Sequence, residues 1–142
     1  MPGLWLLSGI IDENADLGFL EMLNGPSKLD MKGIRRINSY GVRAWIEAIR
    51  KVPASAIVDF VDCPSVVIDQ MNMVAGFLGR GRVVSFFAPM VCARCGVDRN
   101  ELFQTEDYHR DGRLPEVSCP RCTAPMQVDD LEEHYLLFLR EA

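Results

Sequence analysis

Long apolar runs are missing from this sequence. The richest stretch, residues 83–93, is interrupted by Ser85 and Pro89 and falls well short of the roughly 20 residues a bilayer-spanning helix needs. The stretch from Leu4 to Ile11 has no basic segment before it, is broken by Ser8 and Gly9, and runs into Asp12 and Glu13, which is not the form of a secretory leader. These two absences lead us to expect a cytoplasmic protein. An excess of positive charge is missing as well. Fifteen Lys and Arg stand against 20 Asp and Glu, so a net charge of −5 leaves no global field to hold nucleic acid or an anionic membrane. We find no internal repeat and no low-complexity segment. No nucleophile, base and oxyanion donor come together, and no glycine-rich phosphate loop follows a strand. Gly76, Gly79 and Gly81 close a helix-like segment rather than open one, so they read as a C-cap and loop. Asp12, Glu13 and Asp16 read as acids complementing a helix dipole. The expectation is that the chain is not an enzyme.

What is present is the composition of a folded protein, with 142 residues of which 49% are hydrophobic and 25% charged. Charge divides the chain. Residues 1–91 hold nine basic and nine acidic residues, whereas residues 92–142 hold six and eleven, so the net charge belongs to the later part. That shift and Pro89 place a boundary near residue 90, between a unit at 1–90 and a cysteine-bearing unit at 91–142.

In the first unit, short apolar runs alternate with helix-period segments. Leu4 to Leu7 reads as a strand, and residues 15–23 read as a helix ended by Asn24-Gly25-Pro26. Lys28 to Ile34 has strand alternation at Leu29 and Met31. Val42, Trp45, Ile46 and Ile49 then fall on one helical face, with Asn38 or Ser39 able to cap its start. Ala56 to Val61 reads as a strand covered on both faces. A helix follows Pro64 with the stripe Val67, Met71, Val74, Ala75 and Leu78, and a last strand runs from Arg82 to Phe87. The alternation predicts an α/β layer with a mixed, at least partly parallel sheet and right-handed crossovers. In the second unit, Val117 and Met126 to Val128 are short strand candidates, and Asp111-Gly112 is a turn. Asp130 to Arg140 reads as a terminal helix whose face is Leu131, Tyr135, Phe138 and Leu139.

Five cysteines occur, and four of them form Cys92-x-x-Cys95 and Cys119-x-x-Cys122. In a reducing compartment two such pairs read as metal before disulfide, because each tight turn aims two sulfurs at one point and the intervening chain returns as a hairpin. Pro120 stiffens the second turn, and Gly96 lets the chain fold back after the first. One tetrahedral Zn2+ in a zinc ribbon is the expected occupant, and four protein ligands leave no open position, so its role is structural. A redox use of the pairs is the competing reading. His109 and His134 stand outside the pattern, in solvated or cap-like roles. Cys63 lies beside an apolar run and reads as a small buried hydrophobe.

The segment Asn38-Ser39-Tyr40-Gly41-Val42 joins a strand to a helix start. Ser39 there can act as an N-cap, or a phosphate on it would meet the free backbone donors and the helix dipole while adding charge at a surface. This segment and the order of elements resemble the STAS family, the domain of anti-sigma factor antagonists and sulfate transporter tails. Members show an apolar strand ending in Gly with an acid shortly after, here Ser8-Gly9-Ile10-Ile11-Asp12. They also show Asp-Ser-Ser/Thr-Gly-Leu opening a helix, matched here by residues 38–42, with Asn38 in place of Asp and Tyr40 in place of Ser or Thr. The resemblance covers residues 4–88. It implies a STAS-like α/β domain, followed here by the zinc ribbon and its terminal helix, which would cover a sheet edge or face. It further implies that Ser39 matches the serine phosphorylated in partner switching and that Asn38, Ser39, Tyr40 and Gly41 belong to a docking face.

The expectation is thus a regulatory protein-interaction module with a protein partner, which the acidic second unit favours over nucleic acid. A nucleic-acid-associated zinc-ribbon protein is the alternative, and would need a local basic face from Arg35, Arg36, Arg43, Arg80 and Arg82. The terminal helix either packs on its own chain or makes a homodimer or partner contact through Tyr135, Phe138 and Leu139.

Overall fold

A computed structural model describes residues 3–140. Its first sheet is built from β1 (Gly3–Ile11), β2 (Gly25–Ile37), β3 (Ala56–Val61) and the short β4 (Arg82–Val83), in that order and parallel throughout. Helix α1 (Ser39–Arg50) links β2 to β3, and α2 (Ser65–Met73) follows β3. The second sheet is antiparallel, with β5 (Ser85–Val91) between β6 (Asp98–Gln104) and β7 (Gln127–Val128). Three short helices complete the chain: α3 (Thr105–Asp111), α4 (Glu132–Tyr135) and α5 (Leu137–Arg140). The α/β class expected from the sequence is therefore observed.

The core follows from periodicity. Gly41, Trp45 and Ile49 lie at i, i+4 and i+8 on α1 and are buried. The Trp45 indole donates to the Phe77 carbonyl at 2.7 Å and stacks on the Phe77 ring at 5.3 Å. Val67, Ile68 and Met71 form the buried face of α2. One apolar cluster runs from these residues through Phe86 and Phe103 to Phe138, and residue 90 lies inside β5, so the two sheets share a core.

Several elements differ from the sequence reading. Residues 15–23 form only a 3-10 turn, Gly18–Met22. Asp12 Oδ1 accepts from the Asn14 N–H and Asp16 Oδ1 from the Gly18 N–H, and these local bonds satisfy donors that a helix would need. The two aspartates therefore make turns and do not sit in a helical first turn. Gly25-Pro26 opens β2 instead of closing a helix. Pro26 precedes Ser27, the residue paired with the described start of β1, so its missing N–H lies at the strand end. Helix α2 ends at Met73, and Val74, Ala75 and Leu78 lie in the turns that follow, where Gly76 and Gly79 take positive φ. The strand expected at 82–87 is two strands, because the chain passes from one sheet to the other at Val84. Its N–H bonds to the Phe60 carbonyl and its carbonyl accepts from the Thr105 N–H.

The terminal segment is broken at Leu136. The Phe138 N–H donates to Asn72 Oδ1 on α2, and Asn72 Nδ2 donates to the Tyr135 carbonyl, each at 2.9 Å. A side chain from another helix thus takes the donor that would have continued the ladder. Tyr135, Phe138 and Leu139 pack on their own chain, Leu136 joins them, and Leu131 faces solvent.

Candidate metal centre

Strand β5 delivers the first cysteine pair, since Val91 is its last residue and the hairpin to β6 closes around Cys92 and Cys95. The second pair is closed by a bridge between Ser118 and Pro125 and then enters β7, which pairs with β5 through Met90 and Val128. That antiparallel pairing sets the two knuckles face to face. Each knuckle has the same bonds. The Cys92 carbonyl accepts from the Gly96 N–H and its N–H donates to Val97, both at 2.8 Å, while Cys119 makes the equivalent pair with Thr123 and Ala124 at 3.0 and 2.8 Å. The residue after each knuckle is left-handed, Gly96 at φ 78° and Thr123 at φ 64°. Thr123 is β-branched and rarely found there, so the knuckle closure holds it in place. Sequence reasoning named Gly96 and missed Thr123, although both follow a Cys-x-x-Cys directly.

The four sulfurs lie within 4.8 Å of one another, and Cys92 with Cys122 and Cys95 with Cys119 are each 3.5 Å apart across the two knuckles. A tetrahedron with metal–sulfur bonds of about 2.3 Å has edges of about 3.8 Å, so these residues fit a metal ion. Cys92 and Cys119 are buried, and Cys95 and Cys122 are partly exposed. The backbone N–H of Cys95 holds the Cys92 thiol below its usual range, and those of Cys122 and Arg121 hold Cys119 down to about 6. The Val97 N–H favours a Cys95 thiolate too, but its hydrogen bond with Cys119 and its burial push it up to about 11. Backbone donors thus prepare the first thiolate of each knuckle, while crowding resists ionisation of Cys95. Among the described residues His109 and His134 are not part of this cluster. Cys63 is fully buried, and burial followed by the charges of Asp62 and Asp30 pushes its thiol up, as suits a core side chain.

The N-terminus of α1 is a separate feature. Of the two residues the sequence offered as caps, Asn38 is the cap, its Oδ1 accepting from the Gly41 N–H at 2.8 Å, and Ser39 is not. Asn38 also donates from Nδ2 to Glu13 at 3.2 Å, which places that carboxylate at the positive end of α1. Ser39 and Tyr40 are exposed, and the Ser39 hydroxyl makes no hydrogen bond among the described residues. Gly41 is buried, and a Cβ on it would lie 1.9 Å from the Ile11 carbonyl oxygen. It therefore lets α1 meet β1 and presents no surface of its own. Of the five arginines considered for a basic face, Arg80 donates to the Val52 carbonyl and Arg82 is paired with Asp59 at 2.7 Å. Arg35, Arg36 and Arg43 are exposed.

The fold and the site define an α/β protein of two joined sheets carrying a four-thiol cluster able to hold a metal ion. Comparison with family models, curated proteins and solved structures returns no match. No helix among the described residues is long and apolar enough to cross a membrane.

Proposed function

We propose that the chain is a non-catalytic regulatory interaction module of STAS type, with one structural Zn2+ held by Cys92, Cys95, Cys119 and Cys122. A protein partner would bind at the exposed start of α1 and be switched by phosphorylation of Ser39. The observation that carries the switch is the free, exposed Ser39 hydroxyl, which Asn38 relieves of any capping duty. A phosphate there would stand near Glu13 on one side and Arg43, one turn along, on the other, so adding it would rewrite the charge of the surface formed by Asn38, Ser39 and Tyr40. Zinc is favoured over other ions by four soft thiolate donors in a closed set. When bound it cross-links the two knuckles and offsets part of their thiolate charge.

Native mass spectrometry of protein purified from its own cells without chelator tests both halves. One zinc per chain and a phosphorylated fraction mapping to Ser39 are the expected result. A chain carrying zinc and never phosphate would remove the switch. Cysteines oxidised in pairs with no metal would instead favour the redox reading.

A further inference from the structure

Strand β1 lies at one end of the parallel sheet and pairs only with β2; among the described residues no hydrogen bond reaches its outer edge. A strand edge carries N–H and C=O groups at every second residue, and exposed edges are usually guarded by charge, proline or bulges. This edge, from Gly3 to Ile11, carries no charge and no proline. The register shifts of the β1–β2 pair place the extra residues on β2, where Asp30 to Gly33 spans three residues against two on β1, and β1 itself turns at Gly9 with φ 88°, so the unshielded edge is extended from Gly3 to Ser8. Its outward face carries Leu4, Leu6 and Ile10, 63%, 74% and 40% exposed, with Ser8 as the one polar residue among them. A groove of about 400 Å³ is lined by Trp5, Leu6, Leu7 and Ser8 of β1 together with Ala15 and Leu17. The second sheet does not cover this edge, because it joins at the far side through the bridge between Cys63 and Phe86.

We propose that two copies of this chain pair through β1, antiparallel about a two-fold axis that passes through Leu6. An axis perpendicular to the sheet keeps each face on its own side, so residues pair only with residues of like parity. With Leu6 on the axis, Leu6 meets its own copy on the open face and Trp5 meets Leu7 of the other copy on the inner face, both apolar pairs. Charge selects this edge for a second copy. The net charge resides in residues 92–142, while residues 1–91 are balanced. Pairing through β1 places the two acidic parts at opposite ends of the joined sheet, beyond most screened repulsion, whereas contact through the second sheet would oppose them. The inference is independent of the metal and of Ser39.

Sedimentation velocity of the full metal-loaded chain over a concentration series tests it. A dimer that dissociates on dilution is expected. Leu6→Lys would place two like charges in direct opposition and weaken dimerisation about tenfold or more, since it removes one cross-strand apolar pair and adds a like-charge pair in its place. Leu131→Lys, at an equally exposed leucine just before α4, should leave it unchanged. Because Leu6 is already exposed, circular dichroism of Leu6→Lys should match the parent. Leu6→Cys gives a second readout: in a glutathione redox buffer a disulfide between the two copies of that position should form, since directly opposite residues stand about 4.5–5.5 Å apart. A monomer at every concentration, a dimer insensitive to Leu6→Lys, loss of the dimer in Leu131→Lys, or no disulfide in Leu6→Cys would each overturn the proposal.

Discussion

Gly41→Ala isolates the contact that positions the start of α1. The added Cβ would lie 1.9 Å from the Ile11 carbonyl oxygen, 2.5 Å from its carbon and 3.0 Å from the Asp12 nitrogen. All three are backbone atoms, so no side chain can turn aside and α1 itself must move. Gly41 does not have positive φ, so its conformation offers alanine no obstacle and the effect is purely one of space. In an open helical position the same change would stabilise by about 1 kcal/mol through helix propensity. Here overpacking against backbone costs the upper part of the usual range, about 3 kcal/mol. Displacement of α1 also loosens the Asn38 cap, about 1 kcal/mol more. The net expectation is a loss of about 3 kcal/mol, or roughly 10 °C in Tm for a chain of this size. Urea denaturation followed by circular dichroism measures it, and metal content should be unchanged because the cysteines lie elsewhere. Stability equal to or above the parent would refute the packing argument.

Three further outcomes are expected. Cys95→Ser should drop bound metal from one ion per chain to a small fraction by elemental analysis and lower Tm; retention of a full equivalent would mean that three thiolates suffice. Asn72→Ala removes the partner of both the Tyr135 carbonyl and the Phe138 N–H and should cost about 2 kcal/mol. The matching signature is faster hydrogen exchange at Phe138, and unchanged exchange would show that the bond is dispensable. Burial and then the charge of Asp130 raise the Asp69 carboxyl above its ordinary range, with His134 partly opposing. The folded chain therefore binds that proton more tightly than the unfolded chain does, and stability falls as pH rises through the range where the folded carboxyl ionises. Asp69→Asn should accordingly be more stable than the parent at neutral pH, with the difference closing toward acid; a gap that widens in acid would reverse the sign.

Elements whose burial follows one period were legible in the sequence. Trp45 and Ile49 mark α1, the β-branched run at 56–61 marks β3, and the cysteine spacing marks the metal centre, because a knuckle is a local structure whose chemistry is written in consecutive residues. Elements decided by a competing hydrogen bond were not. The periodicity at 15–23 is helical, but Asp12 and Asp16 bind the donors first. The stripe at 131–139 is helical too, yet the bond that breaks it comes from Asn72, sixty-six residues earlier than Phe138. Helix α3 has no buried residue and so leaves no apolar stripe to read. Its ends did carry a signal, with Glu106 and Asp107 in the first turn, His109 and Arg110 in the last, and Gly112 left-handed just after.

The cysteine cluster matters most where apolar burial is thinnest. From residue 104 to residue 125 the only buried side chain is Cys119. This stretch includes all of α3 and the second knuckle, and hydrophobic transfer has little to act on there. Its backbone is fixed at the beginning by β6 against β5 and at the end by β7 against β5, a pairing of only two residues. Loop-closure entropy opposes bringing the second knuckle back across such a length, and the hydrogen bonds of a two-residue strand contribute little net free energy against it. A metal ion shared by Cys92, Cys95, Cys119 and Cys122 would close that loop beside the short β5–β7 pairing. Its removal should therefore act first on residues 104–125 and on the register of β7, while α1 and the parallel sheet, held by Trp45, Phe60 and Phe77, keep their packing.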